Sequence, residues 1–173
     1  MKVFKMLGII LSILFFGSLS AQETATTRLT ISIQPIQSIR INEGQQEISL
    51  YMNTVQDFTE GKESLLTDHV EIMSNMKYEV RVMAQDDLKN NNERIDIGLV
   101  ELTPSFGNVG SADSRLQFHS VVLSQQEHQL IISQIGDIKR TFSMNYRLKS
   151  SDEWLNKTAG SYSAVILYTI LSL

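Results

Sequence analysis

The chain has no cysteine in 173 residues. That absence excludes a disulfide framework, thiol nucleophiles, thiolate metal sites and a lipid-modified N-terminal cysteine. Histidine is nearly as scarce. His69, His119 and His128 stand in separate segments, and no H-x-H or H-E-x-x-H spacing sets two on one local face, so no metal site is legible. No serine sits in a G-x-S-x-G elbow. The carboxylate pairs Asp86-Asp87 and Asp152-Glu153 fall in polar loop sequence, where solvated charge is the simpler reading than acid and base work. Residues 86–96 hold many oxygen donors, but they depart from the EF-hand spacing, lack its glycine and carry Lys89 in the middle. No catalytic residue, metal site or cofactor is therefore assigned.

What is present begins with Met-Lys-Val-Phe-Lys, an apolar run over 6–16 and a small-residue stretch ending at Ala21. These are the three regions of a secretory signal peptide, and the apolar run falls short of the roughly 20 residues that span a bilayer. The expectation is a signal peptide over 1–21 and one domain over 22–173. Export would deliver it to the periplasm, the cell surface or the extracellular space. Without Lys2 and Lys5 the net charge moves from −4 to −6, which disfavours nucleic acid or an anionic membrane surface as partner. From residue 22 onward no run is long and apolar enough to enter a membrane.

The domain reads as all-β. Residues 141–148 alternate, with Phe142, Met144, Tyr146 and Leu148 on one face. Residues 161–173 are rich in β-branched and aromatic side chains and apolar on both faces in the middle, as a strand covered on two sides would be. Leu29, Ile31 and Ile33 alternate, Pro35 interrupts, and Ile39 and Ile41 resume, which fits an edge strand or one that changes sheets. Ile48, Leu50 and Met52 predict another strand. So do Val70 with Ile72, the run from Tyr78 to Ala84, residues 95–102, and Leu116 to Val122. Residues 85–94 and 103–114 read as loops. Over 124–135 a helix begun by a Ser124-to-Glu127 capping box competes with a strand through 129–133, and the strand is preferred because both neighbours are strands. The sum is about 8–10 short strands without βα alternation, a sandwich or barrel.

The segment from Asp152 to Ile170, Asp-Glu-Trp-Leu-Asn-Lys-Thr-Ala-Gly-Ser-Tyr-Ser-Ala-Val-Ile-Leu-Tyr-Thr-Ile, resembles the closing motif of small exported bacterial β-sandwich proteins of WxL-like and fimbrial-subunit-like type. The run from Val70 to Ala84 is similar to their paired central strands. Tyr168-Thr169-Ile170 stands where WxL domains carry Trp-x-Leu. The resemblance implies an immunoglobulin-like antiparallel sandwich at the cell surface, with a structural or adhesive role and no catalysis. Its partners would be envelope or filament proteins, including other copies of itself. Partner contact by edge-strand pairing would use Leu29, Ile31 and Ile33. The alternative is a carbohydrate-binding module in which Trp154, flanked by Asp152 and Asn156, offers its face to a sugar. The competing role for Trp154 is to cap one end of the sandwich.

Overall fold

The computed structural model describes residues 22–173, and the expected signal peptide over 1–21 lies outside the described residues. The chain divides after Ile33. Of the first unit, residues 22–33 are described, and they form neither helix nor strand. The alternation at Leu29, Ile31 and Ile33 thus yields no ladder.

The second unit, Gln34–Leu173, is an antiparallel β-sandwich. Its elements in chain order are β1 (Gln37–Ile41), α1 (Val55–Glu60), β2 (Lys62–Ser74), β3 (Tyr78–Ala84), β4 (Leu88–Asn90), β5 (Glu93–Ile95), β6 (Val100–Phe106), β7 (Leu116–Phe118), β8 (Val121–Val122), β9 (His128–Ser133), β10 (Asp137–Leu148) and β11 (Ile166–Ser172). One sheet runs β1-β2-β10-β6-β8, the other β11-β3-β9-β7, and β4 with β5 forms a separate hairpin.

Period-two patterning builds the core. Phe142, Met144, Tyr146 and Leu148 of β10 face inward, with Val70 and Ile72 of β2 on one side and Leu102 of β6 on the other. They meet Tyr78, Val80, Val82 and Ala84 of β3 and Leu130 and Ile131 of β9. Residues 67–69 of β2 stand opposite Ser143 alone, because Phe142 pairs with Val70 and Met144 with Leu66. Asp68, with φ of 55°, makes this bulge. Two extra residues preserve parity, so Leu66 and Val70 stay on the core side while His69 is turned into the interior.

Several expectations are corrected here. Ile48, Leu50 and Met52 pack against the core but lie in no strand. They are followed by the short α1, whose capping box joins Thr54 and Asp57. Residues 85–94 are not simply loop: Leu88–Asn90 and Glu93–Ile95 pair, turning at Asn91 with φ of 52°. A 3-10 turn at Ile97–Leu99 separates Ile95 from β6, which runs on through Pro104 to Phe106. Pro104 is tolerated because β8 pairs only with Glu101 and Leu102, leaving that side of β6 free of a partner further along. The stretch after Ser124 is a turn followed by a strand: Ser124 Oγ accepts from Gln126 N at 3.1 Å and lies 2.7 Å from His128 Nε2. The largest correction concerns the last strand. β11 is not covered on both faces: Leu167 and Leu171 on its outer face are exposed, and the strand is an edge, paired only with β3.

Candidate interaction edges and loop sites

Leu29, Ile31 and Ile33 are 82, 76 and 83% exposed. The chain enters the sandwich just beyond them, where a single side chain fixes its path. Asn75 Nδ2 donates to Gln34 O at 2.7 Å, Ile36 N donates to Asn75 Oδ1 at 2.8 Å, and Asn75 N donates to Ile36 O at 3.1 Å. An amide side chain here does what a neighbouring strand would do, and β1 follows in line.

β11 presents the longest free edge of its sheet. Ile166, Tyr168 and Ile170 pack toward the core, whereas Val165, Leu167, Leu171 and Leu173 are 56, 38, 38 and 53% exposed. At the opposite edge of that sheet β7 is three residues long, and β1, at one edge of the other sheet, carries the charged Arg40 bonded to Glu71. The signal for β11 was in the sequence, since residues 161–173 contain no charged side chain. An uncharged run of this kind is equally compatible with an exposed edge and with burial.

The second set of expected residues lies elsewhere. Asp152, Trp154 and Asn156 occupy a 3-10 turn at Asp152–Asn156, begun by Ser151, whose Oγ accepts from Glu153 N at 3.1 Å. Asp152 and Asn156 are exposed. Trp154 is half-buried against the core, and its Nε1 donates to Lys149 O at 2.9 Å, so the indole is held from both its apolar face and its polar tip. Nearby, Glu93 accepts from Thr158 N at 3.0 Å, from Thr158 Oγ1 at 2.6 Å and from the Tyr162 hydroxyl. The Thr158 and Tyr162 hydroxyls together hold the Glu93 carboxyl down at about 2. These bonds tie the 152–162 connection to the β4–β5 hairpin.

Two open depressions, of about 440 and 460 Å³, adjoin Asp87. Their carboxylates already have partners: Asp86 takes Lys89 and Arg94, Asp87 accepts from Ile97 N at 3.3 Å, and Asp96 accepts from Gly98 N at 2.7 Å. Neither depression is lined by Asp152, Trp154 or Asn156. Among the described residues no three His, Asp or Glu side chains are grouped to hold a metal ion.

Two buried polar clusters were not legible in the sequence. In the first, Gln45 Oε1 lies 3.0 Å from His69 Nδ1, Tyr146 Oη lies 3.0 Å from His69 Nε2, and Tyr168 Oη lies 2.5 Å from Tyr146 Oη. Because Gln45 Nε2 donates to Thr67 O at 3.0 Å, Gln45 Oε1 is left as the acceptor. The assigned direction is then Tyr168 to Tyr146 to His69 Nε2, with His69 Nδ1–H donating to Gln45. Only a neutral imidazole fits this order. Burial accordingly pushes His69 down to about 4 and Tyr146 up to about 12, and burial with the Tyr146 contact pushes Tyr168 well above the usual phenol range. In the second cluster Arg140 Nε donates to Asp137 at 2.7 Å and Tyr78 Oη donates to the other carboxylate oxygen at 2.9 Å. Burial, then the Asp137 charge, raises the Tyr78 phenol. Both clusters join one sheet to the other, β2 and β10 to β11 in the first and β10 to β3 in the second.

No family model matches this chain, and no curated protein matches it. No helix among the described residues is long and apolar enough to cross a membrane. The two expected sets of residues fall in different units: one in the stretch before the sandwich, the other in the connection that leads into β11.

Proposed function

We propose that this protein is an exported, non-enzymatic surface component, a structural or adhesion subunit that meets its partners by adding strand to strand. The observation that carries the reading is the exposure of Leu29, Ile31 and Ile33, three apolar residues in strand alternation just ahead of a sandwich with free edges. Exposed apolar alternation costs free energy in water that joining a sheet edge would recover, with main-chain hydrogen bonds supplying affinity and alternate side chains selectivity. The partners on this reading are envelope or filament proteins, other copies included. The resemblance of the closing segment to WxL-like and fimbrial-subunit-like proteins supports the same reading.

The test compares the chain from Gln22 with one from Gln34 by light scattering. Residues 34–173 form a compact unit with its own core, so the shorter chain keeps its fold. An assembly that is lost on truncation, and lost again in Ile31→Pro with the sandwich intact, is expected. Unchanged mass in both would overturn the role of this segment. The carbohydrate reading has less behind it, because Trp154 spends its ring on the core and its N–H on Lys149.

A further inference from the structure

We infer that residues 45–52 form a strap that acid releases from an otherwise folded sandwich, with His69 as the trigger. This goes beyond partner contact by residues 22–33 and does not depend on it.

The strap runs from the turn at Gly44, where φ is 84°, to the Thr54 cap of α1. Ile48, Leu50 and Met52 pack against the core but are only half-buried, and Tyr51 is 70% exposed. Among the described residues no backbone group of residues 46–52 is bonded to another backbone group. One polar side chain anchors the segment. Gln45 Nε2 donates to Thr67 O at 3.0 Å, and Gln45 Oε1 takes the His69 Nδ1–H at 3.0 Å. An element held in this way opens at lower cost than strands in ladders.

The anchor requires a neutral ring. Around the buried His69 the strap brings Gln45, β10 brings Tyr146 and β11 brings Tyr168, while Asp68, next to it on β2, turns its carboxylate away to Thr141 and Asn108. No charged side chain shifts the imidazole; burial alone holds it down, at about 4. A second proton makes Nε2 a donor. Tyr146 must then turn its hydroxyl hydrogen toward Tyr168, whose own hydroxyl has no other partner among the described residues. Acid thus creates a buried charge without a counter-ion and a buried hydroxyl without an acceptor.

Opening the strap is the least costly relief. Tyr146 and Tyr168 are fixed by ladders, β10 between β2 and β6 and β11 on β3, whereas Gln45 is in none. Gln45 is itself partly exposed, so its departure admits water to Nδ1 and lets the ring titrate near its ordinary 6.5. Release also frees Thr67 O, on the half of β2 that β1 does not pair. The far end of the strap stays fixed in this range. The Lys62 ammonium above all holds Asp57, which accepts from Asn53 N and Thr54 N, well below the usual carboxylate range.

The test is proteolysis of the chain from Gln22 by a glutamyl endopeptidase, with the first cuts located by mass. The rate of the cut after the exposed Glu47 is divided, at each pH, by the rate on a free peptide of residues 42–53. Relative to pH 7.5 this ratio should rise about 10-fold at pH 5.5 and about 70-fold at pH 4.5, as a ring that titrates near 6.5 when open and at about 4 when closed requires. The cut after Glu79, 5% exposed in β3, should stay slower at every pH and be the more accelerated by low urea. In His69→Gln, or in His69→Phe if the glutamine variant does not fold, the Glu47 ratio should be flat with pH. In Gln45→Ala it should already be high at pH 7.5. A flat ratio in the wild type, an equal rise in the His69 variant, a Gln45→Ala ratio no higher than that of the wild type, or Glu47 and Glu79 cut in step would each overturn the strap.

Discussion

His69 should make the sandwich acid-sensitive over a window set by a single side chain. Its imidazole is 2% exposed and sits neutral in the Gln45–Tyr146–Tyr168 chain, with its pKa pushed down to about 4 from 6.5. In the unfolded chain the same group takes up a proton near 6.5. The unfolded state thus binds the proton first, and the stability that His69 provides is complete above pH 6.5 and lost as pH falls toward 4. At about 1.36 kcal/mol per pKa unit the full loss is about 3 kcal/mol, of which about 1.4 has gone by pH 5.5 and about 2.5 by pH 4.5. Carboxylates held down by their hydrogen bonds, among them Asp57, Asp68 and Glu93, also release stability on acidification. They do so in wild type and variant alike. The assay is therefore a difference: urea melts of the wild type and of His69→Gln at pH 7.5, 6.5, 5.5 and 4.5. The variant should start less stable and close about 2.5 kcal/mol of the gap by pH 4.5. Parallel pH profiles would refute the reasoning, since they would mean that His69 takes its proton as readily folded as unfolded.

Arg140→Met should cost about 3 to 5 kcal/mol in urea melts, because Asp137 would keep its charge in the interior with only Tyr78 to bond it. Adding Asp137→Asn should recover much of that loss, and no recovery would show that the arginine acts by packing alone. Trp154→Ala should lower stability by about 2 kcal/mol, the loss of a half-buried ring and of its bond to Lys149, with retention on immobilised glycans unchanged. Lost glycan retention at wild-type stability would revive the carbohydrate reading.

How much of this was readable beforehand depends on what alternation encodes. It reports that every second residue is buried, not that a ladder exists. For residues 142–148 the two coincide, because β10 lies between β2 and β6 with one face on the core. For Ile48, Leu50 and Met52 they separate: the side chains are packed, but the backbone pairs with no strand. The hairpin at 88–95 was hidden for the opposite reason, its polar composition, since it is held by its own ladder and by contacts to Ser163 and Thr158 and not by apolar burial. β11 is legible as a strand but not in its surroundings, because an uncharged edge strand and a strand buried on both faces have the same composition. The His69 chain could not be seen at all. Its members lie 24, 77 and 22 residues apart along successive links, and only the β2 bulge at Asp68 turns the histidine inward to meet them.

The clamp at Asn75 has a mechanical meaning. On the proposed role of residues 22–33 in partner contact, tension passes through the place where that segment joins the sheet. Here any pull on residues 22–33 arrives at Gln34 and Ile36, each tied to Asn75, before it reaches the ladder from Gln37 opposite Ser74 to Ile41 opposite Val70. By bonding Gln34 and Ile36 the Asn75 amide extends the β1 register by one clamp, so that a pull along β1 loads the clamp and the five paired residues together, in shear, instead of opening one bond at a time. One asparagine between β2 and β3 thus sets whether the attachment tears like a zipper or holds like a lap joint.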